Sequence, residues 1–177
     1  MWGPSRSRTQ LVEPAVDLAI RSAEPADVPS VVAMAHELAV YERAPDECHL
    51  TDAQLAEALF APSPALFGHV AVPRGGGDPV GFALWFLNFS TWRGVHGVYL
   101  EDLYVRPSAR GSGAGRALLA ELASICVERG YQRLEWWVLN WNPAREFYHS
   151  IGAAAMDEWV PYRLTGEPLR ALSALRS

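Results

Sequence analysis

Hydrophobic and polar residues alternate along the chain with two different periods, which predict strands and helices in turn. Residues 16–21 alternate apolar and polar side chains, as a half-buried strand does. Over residues 26–41 the apolar side chains recur every three or four positions, as they do on one face of a helix. Thr51 then stands at the N-cap of a short helix predicted over residues 52–60.

The rest of the chain continues this succession of strands and helices. Further strands are predicted over residues 66–73, 80–88, 95–105, 134–139 and 159–164, and further helices over 110–128, 143–150 and 169–175. This order predicts an α/β fold with a mixed, mostly antiparallel sheet flanked by helices. No repeat or linker divides it, so we expect a flexible leader over residues 1–15 and a single domain over residues 16–173.

Charge narrows the classes of function that fit this fold. The 177 residues carry 20 acids and 15 bases, a net charge of −5, and every base is an arginine. Mild acidity argues against a nucleic-acid partner. The absence of lysine excludes a lysine Schiff base and a Walker phosphate loop. Six acids and one base fall within residues 37–57, so this one segment holds the whole negative excess.

Cysteine content and hydropathy indicate the compartment. Cys48 and Cys126 are too few for a disulfide framework and lack a metal-binding spacing, so we expect no metal. No apolar run approaches the roughly 18 residues of a membrane span, and the first 11 residues do not read as a secretory signal. We therefore expect a cytoplasmic protein without a membrane partner.

A glycine-rich loop between a strand and a long helix carries the clearest chemical signal. Val105-Arg106-Pro107 ends the strand, and the segment Arg110-Gly111-Ser112-Gly113-Ala114-Gly115-Arg116 opens the helix. Glycines let the backbone approach a ligand, and the first helical N–H groups have no partner within the helix. With the positive end of the helix dipole, they form a cradle for an anion such as a pyrophosphate.

Two motifs together resemble a known family. The arginine–glycine loop is similar to the acetyl-coenzyme A signature of the GCN5-related N-acetyltransferases (the GNAT superfamily), and Trp141 to Ala153 resembles their second motif. Further segments resemble the spermidine/spermine (diamine) acetyltransferase branch: 37–42, 50–51, 80–84, 99–102 and 159–172. The resemblance implies acetyl-CoA as co-substrate, a sheet splayed between two central strands around the pantetheine arm, and a homodimer.

The same resemblance implies roles for individual residues. Tyr148 would be the general acid toward the departing thiolate, and Glu101 would anchor the substrate ammonium or act as a base through water. The cofactor-binding residues would be Leu103, Tyr104, Val105, Arg110, Gly111, Ser112, Gly113, Ala114, Gly115, Arg116, Asn142 and Ala144. The acceptor amine would meet Tyr41, Glu42 and Glu101. Independently of the resemblance, the aromatic ring of Trp136 could form a wall of the acyl site or contact the methylenes of a cationic substrate. Because Glu101 and Asp102 are consecutive on a strand, we expect their side chains to face opposite sides.

We therefore predict an acetyl-CoA-dependent N-acetyltransferase that transfers acetyl directly to a primary amine of a small molecule, either diamine-like or amino-acid-like. Ser90 and Thr91 stand where the polyamine enzymes carry Asp-Pro, which makes a shorter amine or an amino-acid side chain comparably suitable. Two alternatives remain open, a protein or peptide N-acetyltransferase and a non-catalytic acetyl-CoA-binding protein. The acidic segment and the arginines of the loop predict opposite charge at the two ends of the cleft.

Overall fold

The computed structural model describes residues 17–176, which separate into two compact units, 17–137 and 138–176. Residues 1–15, the expected leader, lie outside the described residues, and the single domain over 16–173 stays a prediction. In the part of the chain that the structure describes, no helix combines the length and apolar character needed to cross a bilayer.

A five-stranded sheet forms the centre of the first unit. Its strands lie in chain order: β1 (Leu18–Ser22), β2 (Phe67–Pro73), β3 (Gly81–Ser90), β4 (Val95–Val105) and β5 (Leu134–Glu135). The first four are antiparallel to their neighbours, whereas β5 runs parallel to β4. The mixed, mostly antiparallel sheet predicted from the sequence is thereby confirmed.

Three helices cover this sheet: α1 (Val28–Tyr41), α2 (Asp52–Phe60) and α3 (Ala114–Glu128). The first two pack on a core that includes Val70, Phe82, Leu84 and Tyr104 of the strands. Residues that alternate with these along a strand point to the other face, where α3 lies. The sheet is therefore enclosed between two helical layers.

One irregularity in the pairing of β3 with β4 determines which groups face the candidate site. Trp85 lies opposite Leu100 and Leu84 lies opposite Asp102, so Glu101 is an extra residue in a β-bulge. Before the bulge, the N–H of Val98 donates to Arg133 on the β5 side, and after it the N–H of Arg106 donates to Val80 on the β3 side. In a regular strand, residues an even number of positions apart direct their N–H groups toward the same neighbouring strand. Val98 and Arg106 are eight positions apart but donate to opposite neighbours, so the bulge has reversed which neighbour each alternate residue faces.

The sheet opens between β4 and β5 immediately before the bulge. The two strands pair only through Val98 with Leu134 and Tyr99 with Glu135. Within the described part of the first unit, the later half of β4 therefore has a strand partner on its β3 side alone. This opening is the splay that the family resemblance implied.

The second unit contains two helices, α4 (Ala144–Ser150) and α5 (Gly166–Ser173). The strand predicted over 159–164 is wrong, because no strand forms within residues 138–176. Trp159, Val160 and Tyr162 favour strands, but Pro161 between them cannot donate to a ladder. The strand predicted over 134–139 is shortened to β5, since regular pairing with β4 stops after Glu135.

Candidate functional site

The loop before α3 has the geometry that an anion requires. Gly111 and Gly113 have φ angles of 79° and 89°, which L side chains rarely adopt. Apart from the glycine and its two chain neighbours, no atom of the described residues lies within 4 Å of a Cβ built at either position, so the loop surface is open. Gly113 is the N-cap of the 15-residue α3 and makes no side-chain cap, while the Ala114 N–H donates to the Ser112 hydroxyl at 3.4 Å. The positive end of a helix of this length favours an anion at this loop. These residues fit a pyrophosphate group.

Backbone groups along the open edge of β4 extend this surface. Because the Arg106 N–H donates to β3, the preceding residue Val105 directs its N–H and C=O the other way, and so does Leu103. These are the two residues predicted to pair with a pantetheine arm. Tyr104 lies between them with its side chain buried in the core beneath α1 and its backbone groups directed toward β3. Its predicted contact with the cofactor stays a prediction.

The side chain of Arg110 folds back over the end of β4. Its Nε donates to the Val105 carbonyl at 3.0 Å. Its guanidinium lies 5.1 Å from the ring centroid of Tyr41 and 5.6 Å from that of Tyr104, which is cation–π distance. Arg110 thus connects the end of α1, a predicted acceptor region, with the predicted cofactor strand. The motif gave no indication of this stack.

Three carboxylates gather around the bulge. Asp102 lies opposite Leu84 and shares its face, toward α1 and Glu42. Burial, together with the nearby carboxylates of Glu101 and Glu42, raises the pKa of Asp102 to about 6. Burial also raises the pKa of Glu42, which follows Tyr41 directly at the end of α1. Glu101 itself is exposed.

Asp102 is the functional candidate that the sequence analysis did not select. The resemblance assigned substrate binding to Glu101, and the alternation of an ideal strand left open which of the two acids enters the site. The bulge turns Asp102 toward the α1 side of the sheet and leaves Glu101 outside the ladder. The role of Glu101 in substrate binding stays a prediction, and Asp102 becomes a second candidate. An acid within an otherwise apolar strand was the only signal in the sequence.

The other predicted acceptor residues of the first unit are half-buried. Tyr41 is the last residue of α1, where Arg110 stacks on its ring. Trp136 directly follows β5, at the point where β4 and β5 separate. The first unit therefore places Tyr41 and Glu42 beside each other, near Arg110 and Asp102.

The second unit holds the second motif. Asn142 is buried, and its Oδ1 accepts a hydrogen bond of 2.9 Å from the Ala144 N–H, so it organises the start of α4. Tyr148 lies on α4 and is half-buried, with its ring centroid 5.4 Å from that of Phe147. His149, next to it, is exposed. The catalytic role of Tyr148 and the cofactor contacts of Asn142 and Ala144 stay predictions.

The fold is that of an acyltransferase, with a glycine loop before a long helix and a sheet that opens between two strands. Comparison with known proteins identifies the family. The model of the acetyltransferase (GNAT) family matches residues 31–153. The chain belongs to this family and is an N-acetyltransferase, as the two motifs predicted.

Individual relatives agree with this assignment. The thialysine N-epsilon-acetyltransferase of Bos taurus is 32% identical over 87% of this chain and 96% of its own. The L-ornithine N5-acetyltransferase of Arabidopsis thaliana is 32% identical over 88% of each chain. The spermidine/spermine N(1)-acetyltransferase-like protein 1 of Homo sapiens is 31% identical over 85% of this chain and 23% of its own, which confirms the resemblance to the diamine branch.

A solved structure agrees in fold as well as in sequence. An integron cassette protein from the mobile metagenome of V. cholerae superimposes with a TM-score of 0.73 at 30% identity, covering 89% of this chain and 98% of its own. The GNAT-like fold class is therefore confirmed by topology and by structural similarity.

Proposed function

We propose that this chain transfers the acetyl group of acetyl-CoA directly to a primary amine on a small molecule, and that the acceptor is the terminal side-chain amine of a diamino acid. The observation that carries the proposal is the cluster of Asp102, Glu101 and Glu42 beside the open edge of β4. Such a cluster attracts an ammonium group and can remove its proton.

Acetyl-CoA supplies the acyl group as a thioester. The amides of residues 111–116 hold the pyrophosphate, and the outward backbone groups of Leu103 and Val105 pair with the pantetheine amides. Asp102, whose pKa is about 6, is ionised at neutral pH and accepts a proton from the substrate ammonium, directly or through one water. The neutral amine then forms a bond to the carbonyl carbon as the carbon–sulfur bond breaks, and the nitrogen loses its second proton to water. We assign Tyr148 as the donor of a proton to the departing sulfur.

The diamino-acid acceptor is supported by two independent observations. Two relatives that share most of their length with this chain are named for thialysine and ornithine. The turn between β3 and β4 carries Ser90 and Thr91 in place of the Asp-Pro of the polyamine enzymes, so it lacks a carboxylate for a distant second cation. Both favour one terminal ammonium over a long polycation.

A thiol-release assay tests the proposal directly. Purified protein with acetyl-CoA is offered thialysine, ornithine, lysine, putrescine and spermidine, together with a lysine-containing peptide. We expect the highest kcat/KM with a free diamino acid, and mass spectrometry should locate the acetyl group on the terminal amine. Faster turnover of the peptide would favour the protein N-acetyltransferase alternative. Tight acetyl-CoA binding with no thiol release for any amine would favour a binding protein.

We further propose that the enzyme works as a homodimer in the cytoplasm, with no metal, nucleic-acid or membrane partner. Exposed apolar side chains in the second unit, among them Trp159, Val160 and Leu169, support a partner surface there. Cys48 and Cys126 are free thiols, which suits a reducing compartment. Light scattering during size exclusion tests the dimer, and a monomer across the working concentration range would contradict it.

A further inference from the structure

A buried hydrogen bond lies behind the bulge, on the sheet face that α3 covers. The indole Nε1–H of Trp85 donates to Nδ1 of His69 at 3.0 Å. Trp85 is 2% exposed and His69 is 7% exposed. Trp85 is also the residue at which the pairing of β3 with β4 shifts, since it faces Leu100 while its neighbour Leu84 faces Asp102. The indole is therefore fixed at the position where the strand register changes.

The hydrogen bond also determines the state of the imidazole. Because Nδ1 accepts from Trp85, the neutral ring carries its proton on Nε2. Nε2 lies 3.8 Å from the Glu121 carboxylate of α3. On the other side of the indole, the Phe67 ring stacks on Trp85 with a centroid separation of 4.6 Å. These contacts hold the indole in one orientation.

A cavity of about 330 Å³ gives solvent access to this pair. Its lining comes from β1, α2, β2, β3 and α3, and includes both His69 and Trp85. The charged side chains among its lining residues, apart from the imidazole, are Glu121 on α3 and Arg129, the C-cap residue directly after α3. The lining includes no residue of the coenzyme loop and none of the carboxylate cluster, so protons can reach His69 without passing either of them.

We propose that His69 is a positioning residue for the acceptor site: by accepting the Trp85 indole hydrogen bond, it stabilises the bulge that turns Asp102 toward α1. The inference rests on the proposed function, because it assumes that Asp102 receives the amine. Without an acceptor, the buried indole N–H must seek another partner. Movement of Trp85 then disturbs the register of Leu84 and Leu100, which places Asp102.

Protonation of His69 has the same effect as removing the acceptor. A doubly protonated imidazole has donors at both nitrogens, so it cannot accept from the indole. Burial lowers the pKa of His69, while the Glu121 carboxylate opposes this change. The neutral form is thus retained at neutral pH, and the hydrogen bond is lost only as the pH falls through that lowered pKa. Protonation of His69 would therefore add a second loss of activity at acid pH to the loss that protonation of Asp102 causes.

Three substitutions separate the hydrogen bond from the volume of the side chain. In His69→Asn, the amide oxygen takes the place of Nδ1 as an acceptor, whereas His69→Leu offers none. Trp85→Phe removes the donor, so the double variant His69→Leu/Trp85→Phe has no unpaired group. We expect kcat to fall at least tenfold in His69→Leu, to stay within threefold of wild type in His69→Asn, and to return in the double variant to the level of Trp85→Phe. The KM for acetyl-CoA should change less than twofold throughout.

The matched control is Trp92→Phe, since Trp92 is 94% exposed in the turn after β3. It should leave both kinetic constants unchanged. Equal losses in His69→Asn and His69→Leu, or no loss in His69→Leu, would overturn the proposal. So would a double variant that is slower than both single variants, because that result indicates general damage to the core.

A substrate-free measurement keeps this test separate from the proposed function. The Asp102 carboxyl is titrated by carbon NMR, and the Trp85 indole N–H is assigned as the resonance that Trp85→Phe removes. In wild type we expect the indole resonance to titrate with His69 and the Asp102 carboxyl to titrate near its raised pKa of about 6. His69→Asn should abolish the titration of the indole resonance and leave the pKa of Asp102 unchanged. His69→Leu should lower the pKa of Asp102. If no amine is acetylated, the proposed function fails while these shifts still test the coupling; unchanged titration of Asp102 in His69→Leu contradicts it.

Discussion

The two ends of the open half of β4 present different chemical groups, backbone groups at one end and side chains at the other. At the end that we assign to the coenzyme, backbone amides and carbonyls form the surface, and glycines keep it clear of side chains. At the end that we assign to the acceptor, three carboxylates form it, and one of them is buried enough to have a strongly altered pKa. Binding at the first end depends on backbone shape, whereas chemistry at the second depends on single side-chain atoms. Substitutions should therefore affect the two ends in different ways.

The largest effect is expected from Asp102→Asn. If Asp102 accepts the ammonium proton, kcat should fall about 100-fold, within the usual range for loss of a general base. Calorimetric binding of acetyl-CoA should stay unchanged, because the backbone surface is intact. Asp78→Asn, which alters an exposed acid in the turn before β3, is the matched control. A large loss in Glu101→Gln with none in Asp102→Asn would return the role to Glu101.

A smaller effect is expected at the backbone end from Gly113→Ala. A Cβ there projects into the space that the pyrophosphate would occupy, and we expect the KM for acetyl-CoA to rise about tenfold, equivalent to roughly 1.4 kcal/mol of binding. Gly76→Ala controls for strain, because Gly76 also has a positive φ, 91°, and equally open surroundings. Both variants should lose about 1 kcal/mol of stability to left-handed backbone strain. Only Gly113→Ala should alter KM; equal KM values for the two would remove the loop from the coenzyme site.

The substitution Asp102→Asn should raise the stability of the protein while it lowers the activity. Its folded pKa of about 6 lies above the ordinary value of 3.8. The contribution to stability is therefore complete at low pH and is lost as the pH rises through about 6. Asn is neutral at every pH, so Asp102→Asn should raise the free energy of unfolding by roughly 3 kcal/mol at pH 8. Urea unfolding at pH 4 and pH 8 measures this, and a gain that does not grow with pH would show that the carboxylate is not strained by burial.

The smallest effect is a shift in pH dependence from Glu42→Gln. The Glu42 carboxylate helps to raise the pKa of Asp102, so its removal lowers that pKa. Because Asp102 must be ionised to accept a proton, the acid limb of the kcat/KM profile should move to lower pH. Glu57→Gln, on the exposed face of α2, should leave the limb in place. A limb that moves equally in both variants would indicate a general effect of net charge.

Local chemistry explains what the sequence predicted well. Thr51 caps α2, and its hydroxyl and the Gln54 side chain exchange hydrogen bonds with each other's backbone N–H, a pattern contained within four residues. The helix was accordingly predicted with its observed bounds. The glycine loop was predicted for the same reason, since its residues and its helix N-terminus are adjacent in the chain.

Long-range packing explains what the sequence could not predict. The bulge at Glu101 depends on how Trp85 and Leu84 fit against β4, and no local pattern encodes a register between two strands. The strand expected over 159–164 failed for a related reason. Its composition was suitable, but a strand also needs a paired edge, and Pro161 removes one of the donors that a ladder requires.

The bulge also bears on how this protein could diversify. In the function that we propose, a single extra residue lets the latter half of β4 present its backbone to the coenzyme and the side chain of Asp102 to the amine. The backbone pattern is insensitive to the identity of residue 102, whereas the acceptor environment depends on it. Replacement of that side chain can therefore alter the choice of amine while the hydrogen bonds for the coenzyme are inherited unchanged. New acceptor preferences can thus arise by single substitutions on a conserved frame, provided that no residue is inserted into or deleted from the strand.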